Sequence, residues 1–121
     1  MEYSLVHDSI TSTLLIVCTD RIPALEQILP STLTPLTTFS GQSLLSTTYK
    51  MPLSSSLDCP IFAAPYVTSV TGTGLVHTSP AHGIEDWMAW RSYQSSLHPN
   101  EPLADTICAV DGAGKFSDVL E

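Results

Sequence analysis

His77, His82, Glu85 and Asp86 fall within ten positions, just after Gly72-Thr73-Gly74 and around the turn Ser79-Pro80-Ala81. Imidazoles exchange protons near neutral pH, and carboxylates hold a cation or an ammonium group. Four kinds of role fit this set. In a structural role, Gly72 and Gly74 permit close backbone approach, Glu85 and Asp86 favour the positive end of a helix, and His77 is a half-buried strand residue. A metal role would use His77, His82 and Asp86. The zinc-protease pattern, however, carries both histidines on one helix, and here they straddle a proline turn. A nucleophilic role needs Ser or Cys beside His. Ser79 is near, but no GxSxG elbow surrounds it, and Cys18, Cys59 and Cys108 belong to other segments. In a binding role, a strand end, the backbone amides of the glycine pair and a helix N-terminus make a concave polar pocket. Asp86 then supplies a fixed negative charge suited to an ammonium, and His77 a wall.

Several elements must position these residues. The pattern predicts a hairpin from Tyr3–Val6 and Thr13–Cys18, joined by the polar turn Asp8-Ser9-Ile10-Thr11-Ser12. Ile22, Leu25, Ile28 and Leu29 recur at helical spacing, with Asp20 as a candidate cap and Pro30 as the stop. Leu33–Phe39 alternates with threonines, and Pro35 favours an edge strand. Thr47–Met51 predicts another strand, Ser54-Ser55-Ser56 a loop, and Ile61–Ala64 and Tyr66–Val70 two short strands. A strand entered through the glycine pair is expected over Leu75–Pro80. A helix is expected from Gly83 to about Leu97, with Ile84, Trp87, Met88 and Arg91 as its packing stripe. Thr106–Val110 predicts a last strand, and Asp111-Gly112-Ala113-Gly114 a tight turn before Phe116. The fold class is a mixed, strand-rich α/β domain, barrel-like, with two or three helices.

Composition excludes several functions. The chain has 121 residues, which is one domain by length. Hydrophobic residues make up 43%, enough for a packed core, while charged residues make up only 13%. Its 16 serines and 14 threonines supply much of the polarity. Four basic residues stand against 12 acidic ones, a net charge of −8. Arg21, Lys50, Arg91 and Lys115 are too few and scattered to neutralise a run of phosphates or to dock on an anionic membrane. Any nucleic acid must be held mostly by something else. Three widely spaced cysteines without a CxxC pair give no zinc or disulfide framework. The N-terminal residues form neither a secretory signal nor a transit peptide, and the longest apolar run, Leu14–Cys18, is too short to span a bilayer.

The run Gly72-Thr73-Gly74-Leu75-Val76-His77-Thr78-Ser79-Pro80-Ala81-His82-Gly83-Ile84-Glu85-Asp86-Trp87 resembles the GTGxVHxAPxHGxEDY signature of editing domains in class I aminoacyl-tRNA synthetases for branched aliphatic amino acids. The bacterial and mitochondrial isoleucyl type is nearest. Ser79 replaces Ala of the signature and Trp87 replaces Tyr. Tyr3-Ser4-Leu5-Val6 resembles the family's YxLV strand, Pro60–Thr68 its PxxPAxYVT run, and Val110–Phe116 its VDxxGxF turn. The similarity covers nearly the whole chain, and the central motif is highly specific.

The resemblance implies post-transfer editing, the hydrolysis of valine wrongly esterified to isoleucine tRNA. Isoleucine and valine differ by one methylene, worth about 1–3 kcal/mol in a pocket, so a second sieve is needed; isoleucyl enzymes are the standard example of this limit. By resemblance, Asp86 holds the ammonium of the misattached amino acid, and His77 shapes the side-chain pocket and excludes isoleucine. Gly72, Thr73, Gly74, Leu75 and His82 form the substrate-binding set, with His82 holding the turn. No metal or cofactor is implied, and protein and terminal ribose position the attacking water. The implied partners are the 3′ end of aminoacylated isoleucine tRNA and the rest of the synthetase, with no membrane. The implied compartment is the mitochondrial matrix, or else the cytoplasm. The family's threonine-rich peptide lies upstream of the YxLV strand, and its HIGH and KMSKS motifs, which serve ATP binding, lie in the catalytic core. The expectation is therefore part of an editing domain, residues 1–121, incomplete at its N-terminal side. A valyl or leucyl editing domain, a free-standing editing factor and a non-catalytic domain keeping the fold are the alternatives.

Overall fold

The computed structural model describes residues 1–45, 47–51, 54–102 and 105–117. The elements run β1 (Glu2–Asp8), β2 (Leu14–Cys18), α1 (Ile22–Ile28), β3 (Leu33–Ser40), β4 (Thr48–Met51), β5 (Ser54–Pro60) and α2 (Ile84–Leu97). Single 3-10 turns, Thr19–Arg21 and Gly41–Leu44, precede α1 and follow β3. The chain divides into two compact units, Met1–Leu45 with Pro65–Val76, and Ser46–Ala64 with His77–Glu121.

The first unit is built on an antiparallel sheet in the order β2-β1-β3. The expected hairpin is present, with Tyr3 opposite Cys18 and His7 opposite Leu14. Its turn is organised by Asp8. One carboxylate oxygen accepts from the Ile10 and Thr11 amides at 2.9 and 3.4 Å, and the other accepts from the Thr11 hydroxyl at 2.8 Å. Ser12 closes the turn at φ 54°. Alternation along β1 puts Ser4 and Val6 on one face, where Val6, Val17 and Leu33 form the core and Leu15, Ile22 and Leu25 pack against it. Full burial of such a side chain is worth about 1.5–3 kcal/mol. Ser4 is buried too, and its hydroxyl is satisfied by the Thr19 hydroxyl at 2.9 Å. β3 is an edge strand as predicted, and the ladder shifts register between Leu5 and Val6, where Pro35 is met. Proline has no N–H to give, so it is tolerated at such a bulge. Asp20 does not cap α1. The capping position is Arg21, without a side-chain cap, and Pro23 sits in the first turn. The helix ends at Ile28, before Pro30.

The second unit holds the β4-β5 pair, with Tyr49 opposite Cys59 and Lys50 opposite Asp58. The serine run belongs to β5 rather than a loop, and Ser54 pairs with Met51 of β4 beyond a register shift. α2 covers the predicted span, but its packed side is not the predicted one. Ile84 and Met88 are 69% and 59% exposed, and Arg91 lies over the Trp87 ring at 5.1 Å. The packed side carries Trp90 and Tyr93 against Phe62, with ring centroids 6.0 and 4.7 Å away, and the buried Gln94. That side lies about a third of a turn from the apolar stripe, because aromatic stacking on Phe62 decides the orientation.

The described strands form two antiparallel sheets, of three and two strands, and not a closed barrel. Ile61–Ala64, Tyr66–Val70 and Leu75–Pro80 are not strands, and no ladder partner pairs with them among the described residues. Thr106–Val110 likewise reduces to one bridge, Val110 with Phe116. The predicted turn between them is present, with Asp111 Oδ1 accepting from the Ala113 and Lys115 amides at 2.8 and 2.9 Å.

Candidate functional site

The predicted site residues fall in both units: Gly72, Thr73, Gly74 and Leu75 in the first, and His77, His82 and Asp86 in the second.

In the first unit the glycine loop is fastened through its carbonyls. Arg21 donates from Nε to Gly72 O and from a terminal nitrogen to Val70 O, both at 3.0 Å. The Cys18 amide donates to Thr73 O at 2.7 Å, and the Tyr3 hydroxyl to Gly74 O at 2.7 Å. Burial, and to a lesser extent Cys18, raises the Tyr3 pKa, so the phenol keeps the proton it donates. Gly74 is buried with φ +77°, and a Cβ there would overlap the Cys18 Cβ. Gly72, at φ +56°, has open space around the same position. Close approach, which only glycine allows, thus explains Gly74. Leu75 is 40% exposed just beyond the loop.

In the second unit each predicted residue has its own neighbour. His77 is exposed, and its Nδ1 lies 2.6 Å from the Tyr49 hydroxyl, with the two rings edge to face at 87°. Burial, then the Cys59 thiol opposite, pushes the Tyr49 pKa up to about 12. Asp86 is the third residue of α2, whose N-cap is Gly83. Its Oδ2 accepts from the Ser79 amide at 2.8 Å, while Ser79 O accepts from the His82 and Gly83 amides at 3.0 and 3.2 Å. The carboxylate therefore clamps the Ser79–Gly83 turn to the helix start, where its charge also suits the dipole. Glu85 lies in the same first turn and is exposed.

His82 is exposed, and its Nε2 stands 4.0 Å from Cys108 Sγ, a neighbour that sequence order did not suggest. The thiol donates instead to Val110 O at 3.0 Å, which spends its proton on the backbone rather than on the imidazole. Among the described residues, no three His, Cys, Asp or Glu side chains come together as a metal-holding group. No described helix is long and apolar enough to cross a membrane.

Sequence reading missed Tyr49 and Phe62. Tyr49 sits 28 positions before His77, and nothing in the spacing ties a strand tyrosine to a distant histidine.

No protein-family model matches the chain. Individual proteins do. The mitochondrial isoleucine–tRNA ligase of Macaca fascicularis is 35% identical over 118 residues, 98% of this chain and 11% of the relative. The mouse mitochondrial enzyme is 37% identical over 117 residues, 97% of this chain and 11% of the relative. The isoleucine–tRNA ligase of Microcystis aeruginosa is 40% identical over 117 residues, 97% of this chain and 12% of the relative. The chain is homologous to a segment of isoleucine–tRNA ligase. It spans about a tenth of the length of these ligases. The matched segment takes in the glycine loop, the Ser79–Gly83 turn and the start of α2, because the alignments cover nearly every residue. Mitochondrial and bacterial ligases match it at comparable identity.

Proposed function

We propose that residues 1–121 form part of the editing domain of an isoleucine–tRNA ligase, which hydrolyses valine mis-esterified to isoleucine tRNA. The observation that carries this reading is the match of 97–98% of the chain to such ligases at 35–40% identity. All the relatives reported above are isoleucine enzymes, which favours isoleucine tRNA over valine or leucine tRNA. The partners are then the 3′ end of the aminoacylated tRNA and the remainder of the ligase. The mitochondrial relatives support a matrix location, and the bacterial one supports the cytoplasm.

The roles follow from chemistry. An aminoacyl ester carries a free ammonium beside the bond to be cleaved. Asp86, oriented by the Ser79 amide at 2.8 Å, supplies the carboxylate that anchors it. His77 is exposed and tethered by Tyr49, so it can stand as a wall that admits valine and rejects the larger isoleucine. Water attacks the ester carbonyl, the acyl–oxygen bond breaks, and valine and the tRNA hydroxyl are released. The ammonium anchor holds the carbonyl in reach of that water.

Asp86→Ala in the ligase carrying this segment tests the reading. Loss of the anchoring charge is expected to slow deacylation of valyl isoleucine tRNA by about 100-fold, within the range for removing one partner of a desolvated charge pair. Parent-like deacylation would remove Asp86 from the site.

A further inference from the structure

The Tyr49 hydroxyl and His77 Nδ1 are 2.6 Å apart, closer than the Ser79 amide and Asp86 Oδ2 at 2.8 Å. The edge-to-face packing of the rings at 5.9 Å sets the direction of that tie. Tyr49 itself is held in β4, half-buried and directly opposite Cys59 on β5. His77 has no regular element of its own, since Leu75–Ser79 is irregular. An exposed imidazole on an irregular segment is free to turn unless another group fixes it.

We propose that Tyr49 is a positioning residue for His77: its hydroxyl donates to Nδ1, which fixes the ring plane and leaves the single proton of the neutral imidazole on Nε2. This rests on His77 being the specificity wall of the editing site. A neutral imidazole has one donor and one acceptor nitrogen, and the partner of one nitrogen determines which carries the proton. Tyr49 is suited to the donor role, because burial, and then Cys59, push its pKa up to about 12, so the phenol is protonated near neutral pH. With Nδ1 occupied, the Nε2 edge is the one presented, as a hydrogen-bond donor on a fixed ring.

The test is Tyr49→Phe, which keeps the ring and its packing and removes only the hydroxyl. Nitrogen-15 NMR of the chain labelled at histidine reads the tautomer directly; with four histidines in the sequence, His77→Ala assigns the His77 signals. The parent is expected to show His77 protonated at Nε2, and Tyr49→Phe a mixture of both tautomers, at an unchanged thermal midpoint. In the ligase carrying this segment, Tyr49→Phe is expected to raise deacylation of isoleucyl relative to valyl tRNA by about 3–10-fold, the worth of one ordinary hydrogen bond. His77→Ala is expected to raise that ratio further. A parent protonated at Nδ1, or a tautomer that Tyr49→Phe leaves unchanged, overturns the positioning role. A tautomer shift in Tyr49→Phe, with neither variant changing the deacylation ratio, upholds the positioning of His77 and instead overturns its role as the editing wall.

Discussion

Gly72 and Gly74 read alike in the sequence and differ in space. Both have positive φ, which costs an L-residue about 1–2 kcal/mol. Only at Gly74 would a new Cβ also strike Cys18, where over-packing adds about 1–3 kcal/mol. Gly74→Ala is therefore expected to destabilise the chain by about 2–5 kcal/mol and Gly72→Ala by about 1–2 kcal/mol. Urea unfolding of the two variants measures the difference, and equal losses would contradict the docking of the loop on β2. The residue types of the candidate site were read from the run Gly72 to Trp87. Their contacts were not. Nothing in the spacing shows that Asp86 clamps Ser79, that His77 meets Tyr49, or that Cys108 approaches His82. These depend on residues brought together by chain folding.

Among the elements, the hairpin β1–β2 and its turn were readable because alternation and a polar break are local signals. Asp8 makes the turn sensitive to acid. Hydrogen bonds from the Ile10 amide first, then the Thr11 hydroxyl, hold its carboxyl below its ordinary pKa. A group lowered in the folded state stabilises it above the unfolded pKa, near 3.9, and that stability fades as pH falls through the folded value. The thermal midpoint of the parent is expected to drop more steeply below about pH 4 than that of Asp8→Ala. Identical slopes would show that the turn does not draw on the ionised carboxylate. Leu75–Pro80 misled for a physical reason. Its composition suits a strand, but a strand exists only where another supplies the ladder. The stripe Ile84, Trp87, Met88 on α2 misled in the same way, because the stack of Trp90 and Tyr93 on Phe62 turned the helix.

At the scale of the whole chain, the net charge of −8 bears on the proposed tRNA partner. Three of the four cations are engaged: Arg21 with the carbonyls of Val70 and Gly72, Lys50 with Asp58 at 2.8 Å, and Arg91 over Trp87. Phosphate binding needs cations free to displace counterions. The 121-residue chain is therefore expected to retain isoleucine tRNA only weakly at physiological salt, with Kd above about 10⁻⁴ M, the weak end of non-specific binding. Filter binding measures it, and micromolar retention would contradict the view that the rest of the ligase holds the tRNA. The central claim concerns Asp86, which both clamps a turn and, in the proposed reaction, anchors an ammonium. Asp86→Asn separates the two, because its amide oxygen still accepts from Ser79 while the charge is gone. The decisive measurement is deacylation of valyl isoleucine tRNA by the ligase carrying Asp86→Asn, alongside its thermal midpoint. The account predicts a parent-like midpoint with deacylation slowed about 100-fold; deacylation at the parent rate would contradict it.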